Sequence, residues 1–313
     1  MRSELPNTYS YSQEGDLWVR ARTPEEGVSE FIISERELVR RLDYVGRDGQ
    51  IRSREVYLKP AVPRVTRLDT QLTPLQIRYL AARVCYDPLP TEELIEEVKG
   101  RDPQEMRRFL QGNIFSTGHH SIIEHPAGPT FVIEGISRAT SHQLVRHRLA
   151  SFSQESQRYV EVADFAMVIP PRVRSEEGLT NYYLERIWDD VEAYYHLRAK
   201  GSFPEDARML LPNAAATRIV VSANLRELRH IIKERTCARA QWEIDIAITE
   251  LARLLWEEEP SDIYGTGPDC CRGSCRQGKR TCGVPLREPL DKIFEELAEG
   301  QSYPHDRLIF GGR

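Results

Sequence analysis

The spacing of apolar and polar positions changes near Val65. Before it, charged and turn-forming residues surround short alternating runs, "SEFIIS" (29–34) and "REVYLKP" (54–60), whose period of two predicts strands. Residues 1–65 therefore read as an N-terminal extension packing on a main domain. In "LTPLQIRYLAARVCYD" the apolar positions Leu75, Ile77, Leu80, Ala81 and Val84 follow a Thr-Pro start at near-helical spacing. Further helices are predicted over 91–99 and 103–113. "PTFVIEGIS" (129–137) predicts a strand, with a helix running from Ser137 to about Arg146. "FAMVIPP" (165–171) predicts a strand ended by proline, and 176–200 a long amphipathic helix rich in tyrosine and leucine. "ATRIVVSA" (216–223) reads as another strand, and Asn224 is a good cap for the helix after it. "RAQWEIDIAITELARLLWEEE" (239–259) continues helical, with Ala240, Ile244, Ala247, Leu251 and Leu254 along one stripe. The expected class is α/β, a central mixed or antiparallel sheet with long helices, without internal repeats.

Composition narrows the setting. The 313 residues are 40% hydrophobic and 29% charged with a formal net charge of −5, which suits a soluble globular protein. That balance argues against general nucleic-acid binding, which calls for a basic domain or stripe. No run of about 18 apolar residues suggests a membrane span. The start, "MRSELPNTYSYSQ", lacks a basic-then-apolar leader pattern, so a cytoplasmic protein is expected. Of six cysteines, Cys85 and Cys237 stand alone, while Cys270, Cys271, Cys275 and Cys282 crowd into "CCRGSCRQGKRTC". This spacing is not a paired CxxC; a glycine-rich loop with idle thiols is the reading preferred over a zinc site.

Three islands hold the candidate chemistry. The first, "TGHHSIIEH" (117–125), offers His119, His120, Glu124 and His125. It contains neither H-E-x-x-H nor a helical His pair, and "GHH" reads as a turn, so a metal site is not expected. The second, "RHRLASFSQESQRYV" (146–160), gathers three arginines, a histidine and several hydroxyls. In a helix ending near Arg148, the basic head would compensate the negative end of the dipole. The segment after it reads as turn and then extended chain, so that Ser156 and Arg158 point one way and Gln157 and Tyr159 the other. A hydroxyl, backbone amides and a guanidinium on one side would make an oxyanion pocket. In the third island, "NLRELRHIIKERTCARAQWEI" (224–244), helical geometry puts Asn224, Leu228, Ile231 and Arg235 on one face. Arg226, Arg229, His230 and Lys233 fall on the other. Such a helix is either solvated on one side, with ion pairs to Glu227 and Glu234, or shared between subunits.

Taken together, the islands resemble the flavin-dependent thymidylate synthases, whose signature is Arg-His-Arg, seven residues, then Ser. Here that is Arg146-His147-Arg148 and Ser156, flanked in order by "GHHSIIEH" upstream and "LRHIIKERTCARAQWEI" downstream. The resemblance covers about 65–260, leaving the N-terminal extension and a 261–313 cysteine-rich loop and C-terminal helix outside a 66–260 catalytic domain. It implies the flavin-dependent thymidylate synthase fold, a homotetramer with shared active sites, FAD as cofactor, and dUMP, 5,10-methylenetetrahydrofolate and NADPH as co-substrates. By the same resemblance, FAD would meet His119, Ser121, Arg146, His147, Arg148, Gln154, Asn224, Leu225, Arg226 and His230. The dUMP pocket would comprise Gln143, Arg146, Gln154, Glu155, Ser156, Gln157, Arg158 and, in "EDARMLLP", Arg208. Arg235 matches the arginine that polarises the uracil. A guanidinium is no base at neutral pH, but it stabilises negative charge developing on a pyrimidine ring. Ser156 lacks an evident His-Asp pair to activate it and reads as a ligand rather than a nucleophile. Two other readings stay open: the same fold making another product such as hydroxymethyl-dUMP, and a zinc-containing nucleic-acid-binding module. Asp245 stands where the family often has a basic residue, which suggests a different local surface.

Overall fold

The computed structural model describes residues 10–14, 17–21, 32–34, 39–45, 48–61, 63–158, 164–174, 176–273, 275–282 and 288–298. Three short strands, Ser10–Glu14 (β1), Leu17–Ala21 (β2) and Ile32–Ser34 (β3), pair antiparallel in chain order. The first half of "SEFIIS" lies outside the described residues. Val39–Val45 (β4) and Ile51–Pro60 (β5) form a hairpin, followed by Arg64–Arg67 (β6). Then come helices Pro74–Val84 (α1), Thr91–Gly100 (α2) and Pro103–Phe109 (α3). After Thr130–Ser137 (β7) follow Arg138–Leu144 (α4), Ser151–Gln154 (β8), Asp164–Met167 (β9), Pro171–Arg174 (α5) and Glu177–Ala199 (α6). The rest is Pro204–Ala207 (α7), Ala216–Ser222 (β10), Leu225–Arg235 (α8), Trp242–Glu258 (α9) and Leu290–Ala298 (α10).

The core is an antiparallel sheet of order β6-β7-β10-β8 between two helical layers. Because strand side chains alternate, one tripeptide feeds both layers. Phe131 and Ile133 of β7, with Ile219 and Val221 of β10, pack on Leu228 and Ile231 of α8 and Ile244, Ala247 and Leu251 of α9. Val132 and Val220 face the other way, onto Leu80, Val84, Leu94 and Met106 of α1–α3. A second, mixed sheet of order β4-β5-β9 lies against α6, where Trp188, Val191 and Tyr195 cover Val56, Leu58 and Phe165. Its β5–β9 pair is parallel, with Tyr57 opposite Asp164. The segment ahead of Arg64 thus shares a sheet with a strand from the middle of the chain.

Local chemistry explains the boundaries. Thr73 and Gln76 form a reciprocal capping box at α1, with proline in its first turn. The Asn224 side chain accepts from the Glu227 backbone N–H at 3.0 Å and starts α8. Gly135 adopts φ = 70° where β7 bulges opposite Arg218.

Four expectations are corrected. The helix over 103–113 is α-helical only to Phe109 and then widens into a π-turn from Leu110 to Phe115, which keeps Leu110 and Ile114 buried. The strand from Phe165 starts at Asp164 and ends at Met167, before the prolines. The helical run of 239–259 begins only at Trp242, because the chain turns at Cys237–Ala240. The helix expected to reach Arg146 or Arg148 stops at Leu144. Beyond it the backbone tightens into three-residue turns, Arg146 N–H to Gln143 and His147 N–H to Leu144, which rotate His147 inward and leave Arg146 and Arg148 exposed. Among the described residues no helix is long and apolar enough to cross a membrane.

Candidate active site

The inward turn of His147 creates the most informative contact. Arg235, in the last turn of α8, donates from Nε to His147 Nε2 at 2.8 Å and from Nη2 to the Gln143 carbonyl at 3.1 Å. Arginine has donors only, so Nε2 accepts and the neutral ring carries its proton on Nδ1. Burial, with the Arg235 and His230 charges beside it, lowers the His147 pKa to about 4. Nδ1 faces the buried Glu227 carboxylate at 3.7 Å. The His230 ring packs edge-on against His147, with centroids 5.7 Å apart. Glu227, which pattern alone suggests on a solvated face, is thus buried beneath the signature histidine, and Arg235 is fixed through two of its nitrogens.

Glu243 locks the other end of α4. It is almost fully buried, and its carboxylate accepts from the Ser137 backbone N–H, from Ser137 Oγ and Thr140 Oγ1 at 2.7 Å each, and from Gln241 Nε2 at 3.2 Å. Burial raises its pKa, while the donors oppose that rise. Gln241 also accepts from the Gln143 side chain, so Gln143 sits between the α4 end and the start of α9. Asp245, expected to alter a surface, is instead buried at 3% exposure and accepts from Thr249 Oγ1 at 3.4 Å.

A second group forms around 154–158. β8 ends at Gln154, so the alternation expected for Ser156 and Arg158 does not hold; 157–158 lie in a turn. Tyr159 lies outside the described residues. Instead, Ser156 Oγ accepts from the Arg158 backbone N–H at 3.2 Å, while Ser156 N–H binds the Cys85 carbonyl at the end of α1. Gln154 Nε2 donates to Ser141 Oγ at 2.8 Å and Thr217 Oγ1 at 3.2 Å. Glu155 lies near Arg218 and Arg138; burial raises its pKa and those two cations lower it. Arg158 pairs with Glu205 at 2.8 Å, and Arg208 bonds the Glu205 carbonyl at 3.3 Å. Burial and the nearby Arg208 both lower the Arg138 pKa. Arg138, Arg158 and Arg208 therefore surround one corner; Gln157 is half-buried on its rim.

The first island divides. His125 is fully buried, with Nδ1 on Ser222 Oγ at 2.8 Å and Nε2 on Ser153 Oγ at 2.9 Å, tying β10 to β8. His119 and Ser121 are exposed and make no side-chain hydrogen bond among the described residues. Burial lowers the His125 pKa to about 4, against 6.5 for an ordinary histidine. Folding with a depressed pKa stabilises the protein fully above pH 6.5, and that stability is lost as pH falls toward 4. Urea unfolding at pH 7 and pH 4.5 is expected to show this loss, and His125→Gln to flatten it by on the order of 3 kcal/mol. An unchanged pH slope in that variant would remove His125 from the account.

On α8, Asn224 is occupied as the cap and Leu225 is half-buried against the core. Arg226 and His230 are exposed on the outer side with Arg229 and Lys233. Cys271 belongs to the core, and Cys270 packs against the same cluster. Among the described residues no three histidine, cysteine or acidic side chains stand together as a metal set. For a flavin the donor set is suitable: Arg146, Arg148 and Arg226 offer exposed cations for a diphosphate, and Val145 and Leu149 are exposed apolar side chains.

Arg138, Glu227 and Glu243 escape a reading of the sequence. Their one visible signal is position, directly beside the signature elements; their partners are set by packing.

The arrangement is that of an α/β enzyme in which an arginine is immobilised beside a buried histidine. The chain belongs to the family described as thymidylate synthase complementing protein, whose pattern matches residues 67–261. A flavin-dependent thymidylate synthase of Geobacter sulfurreducens is 43% identical over 221 residues, covering 70% of this chain and 92% of the relative. Its namesake from Nitratidesulfovibrio vulgaris is 41% identical, covering 73% and 98%, and that from Clostridium tetani 34% identical, covering 74% and 96%. A crystal structure of the UMP/dUMP methylase PolB from Streptomyces cacaoi, bound with 5-Br dUMP, is more distant, with 22% identity, coverage of 67% and 97%, and a TM-score of 0.42.

Proposed function

We propose that the protein converts dUMP to dTMP with FAD as cofactor, 5,10-methylenetetrahydrofolate as one-carbon donor and NADPH as reductant, as a cytoplasmic homotetramer. Family membership supports the reaction, and one observation carries the residue assignment: Arg235 is held by a neutral His147 and by the Gln143 carbonyl at the end of the signature helix. In this reading its remaining donors face uracil. Carbon 5 of uracil becomes nucleophilic only as negative charge builds on N3 and O4, and a fixed guanidinium stabilises that charge without reorganising. The Glu227 carboxylate keeps the His147 proton on Nδ1, so Nε2 remains an acceptor. The flavin, when bound, supplies the hydride that reduces the transferred one-carbon unit to methyl.

The remaining residues bind and orient. Ser156, Arg158 and Arg208 hold the dUMP phosphate, with Gln154, Glu155 and Gln157 around the nucleotide and Arg146 reaching both ligands. His119, Ser121, Arg148, Asn224, Leu225, Arg226 and His230 serve the flavin. The exposure of His119 and Ser121 fits sites completed between subunits. Among the described residues no histidine or aspartate bonds Ser156, consistent with a ligand rather than a nucleophile. Purified protein is expected to be yellow, bleached by NADPH and spectrally perturbed by dUMP. Mass analysis of the product distinguishes dTMP from a hydroxymethyl product, and a colourless protein that cannot be reconstituted with FAD would sink the assignment. Ser156→Ala is expected to weaken dUMP binding roughly tenfold, the loss of one charge-assisted hydrogen bond, with residual kcat. Complete inactivity at normal dUMP affinity would instead make Ser156 a nucleophile.

A further inference from the structure

Cys237 stands alone in the sequence, at the turn where the chain leaves α8, but an arm of residues 264–282 folds back against that turn. Two ties set the register. Arg239 Nε donates to the Arg280 carbonyl at 2.7 Å, which places Cys237 and Cys282 each two residues from one hydrogen bond. Asp269 Oδ1 meets Lys233 Nζ of α8 at 2.9 Å and Arg276 Nε at 3.9 Å. Cys270 follows Asp269 and Cys275 precedes Arg276, so both are carried to the same end of the helix. Cys237, Cys270, Cys275 and Cys282 are all half-buried, whereas Cys271 is buried in the core and Cys85 closes α1.

The chemistry of the group points to a cation. Burial raises the Cys237 pKa, the Arg239 backbone N–H opposes that rise, and Cys270, Cys282 and Cys275 add to it. The other three sulfurs therefore lie within electrostatic reach of Cys237, and a cation shared among them would relieve the repulsion. Gln277 N–H bonds Cys275 Sγ at 3.5 Å, as the Arg239 N–H bonds Cys237. Amide bonds to sulfur favour the thiolate, the form that ligates metal. Residues 272–282 include no aliphatic or aromatic side chain, so apolar burial cannot fasten this part of the arm. They do carry Arg272, Arg276, Lys279 and Arg280, with Arg239 tied beside them. Four thiolates round a metal are net anionic, and these cations offset that charge. Among the described residues no three of the side chains are closed round one point. Metal binding and local folding are coupled at such sites, so closure comes with the metal.

We propose that Cys237, Cys270, Cys275 and Cys282 ligate a thiolate-bound metal centre, a zinc ion or an iron–sulfur cluster, that clasps the arm to the end of α8. Each thiol gives its proton to solvent as its sulfur bonds the metal, so no oxidant or reductant is consumed. The clasp closes two residues beyond Arg235 and fixes the end of the helix that carries it. The centre is independent of the reaction proposed for the chain.

Elemental analysis of the full-length protein, purified without oxygen or chelators, reads the centre directly, with acid-labile sulfide measured beside zinc and iron. Wild type is expected to hold about one centre per chain. Zinc without sulfide assigns the single ion, and iron with matching sulfide assigns the cluster. Cys275→Ser/Cys282→Ser is expected to lose the metal, and Cys85→Ser, outside the group, to keep it. Flavin content and far-ultraviolet dichroism show whether the double variant is folded. Where it is not, chelator-stripped wild type gives the same reading: its urea midpoint is expected to fall, and to recover when the metal is returned. Wild type that holds no metal and takes up neither zinc nor iron with sulfide would overturn the proposal. Metal retained in full by the folded double variant, or a midpoint that stripping leaves unchanged, would do the same. A chain that holds the metal but makes no dTMP would defeat the proposed reaction and leave the centre standing.

Discussion

Arg235→Ala is expected to lower kcat for dTMP formation by at least a hundredfold while the flavin stays bound. Removing one preorganised donor aimed at developing negative charge costs about 10²–10³ in rate. Here the guanidinium is held through Nε by His147 and through Nη2 by the Gln143 carbonyl. Arg235→Lys is expected to be nearly as poor, because an ammonium on a flexible stem cannot keep both contacts and still present a planar fork. Product formation measured by mass, alongside flavin absorbance of the purified variant, separates chemistry from cofactor loss. Wild-type turnover in Arg235→Ala would end its assignment as the activating residue; a colourless variant would place it with the cofactor.

Glu243→Ala is expected to destabilise the fold by about 3–5 kcal/mol, the summed cost of leaving buried neutral donors without an acceptor and of the cavity left behind. The carboxylate collects the Ser137 backbone N–H, both hydroxyls at the start of α4 and the Gln241 amide. Truncation leaves these donors buried and unmatched, and opens a void at the start of α4. Glu243→Gln should cost less, since one oxygen still accepts. Urea unfolding at pH 7 reads both. A loss under about 1 kcal/mol for the alanine variant, the ordinary scale of a surface change, would show that the network tolerates its missing acceptor.

The main lines of this fold were legible because period and caps agree. Thr73-Pro74 opens α1, Asn224 opens α8, and the alternation through Phe131, Val132 and Ile133 reports a strand buried on both faces. The basic run at 146–148 misled, since cations at a helix end look like dipole compensation; only packing against α8 shows the histidine turned inward and its neighbours left outside. The same limit hides Glu227, whose role depends on a ring eighty residues earlier in the chain. Around Ser156, a predicted strand failed because the Cys85 carbonyl and the residue's own turn claim its polar groups. Order and spacing single out the residues proposed for this site, whereas their orientation comes from the tertiary contacts.

The parallel pairing of β5 with β9 has a consequence for how the chain folds. Tyr57 meets Asp164 across about a hundred intervening residues. Closing a loop of that length costs entropy before any contact rewards it, so this sheet is a late event. The β4–β5 hairpin leaves the ribosome first and must wait with one edge open until β9 has been made. While it waits, that edge can pair with any passing strand. Productive folding is therefore a race between the arrival of β9 and association with another nascent chain, won most readily at low protein concentration.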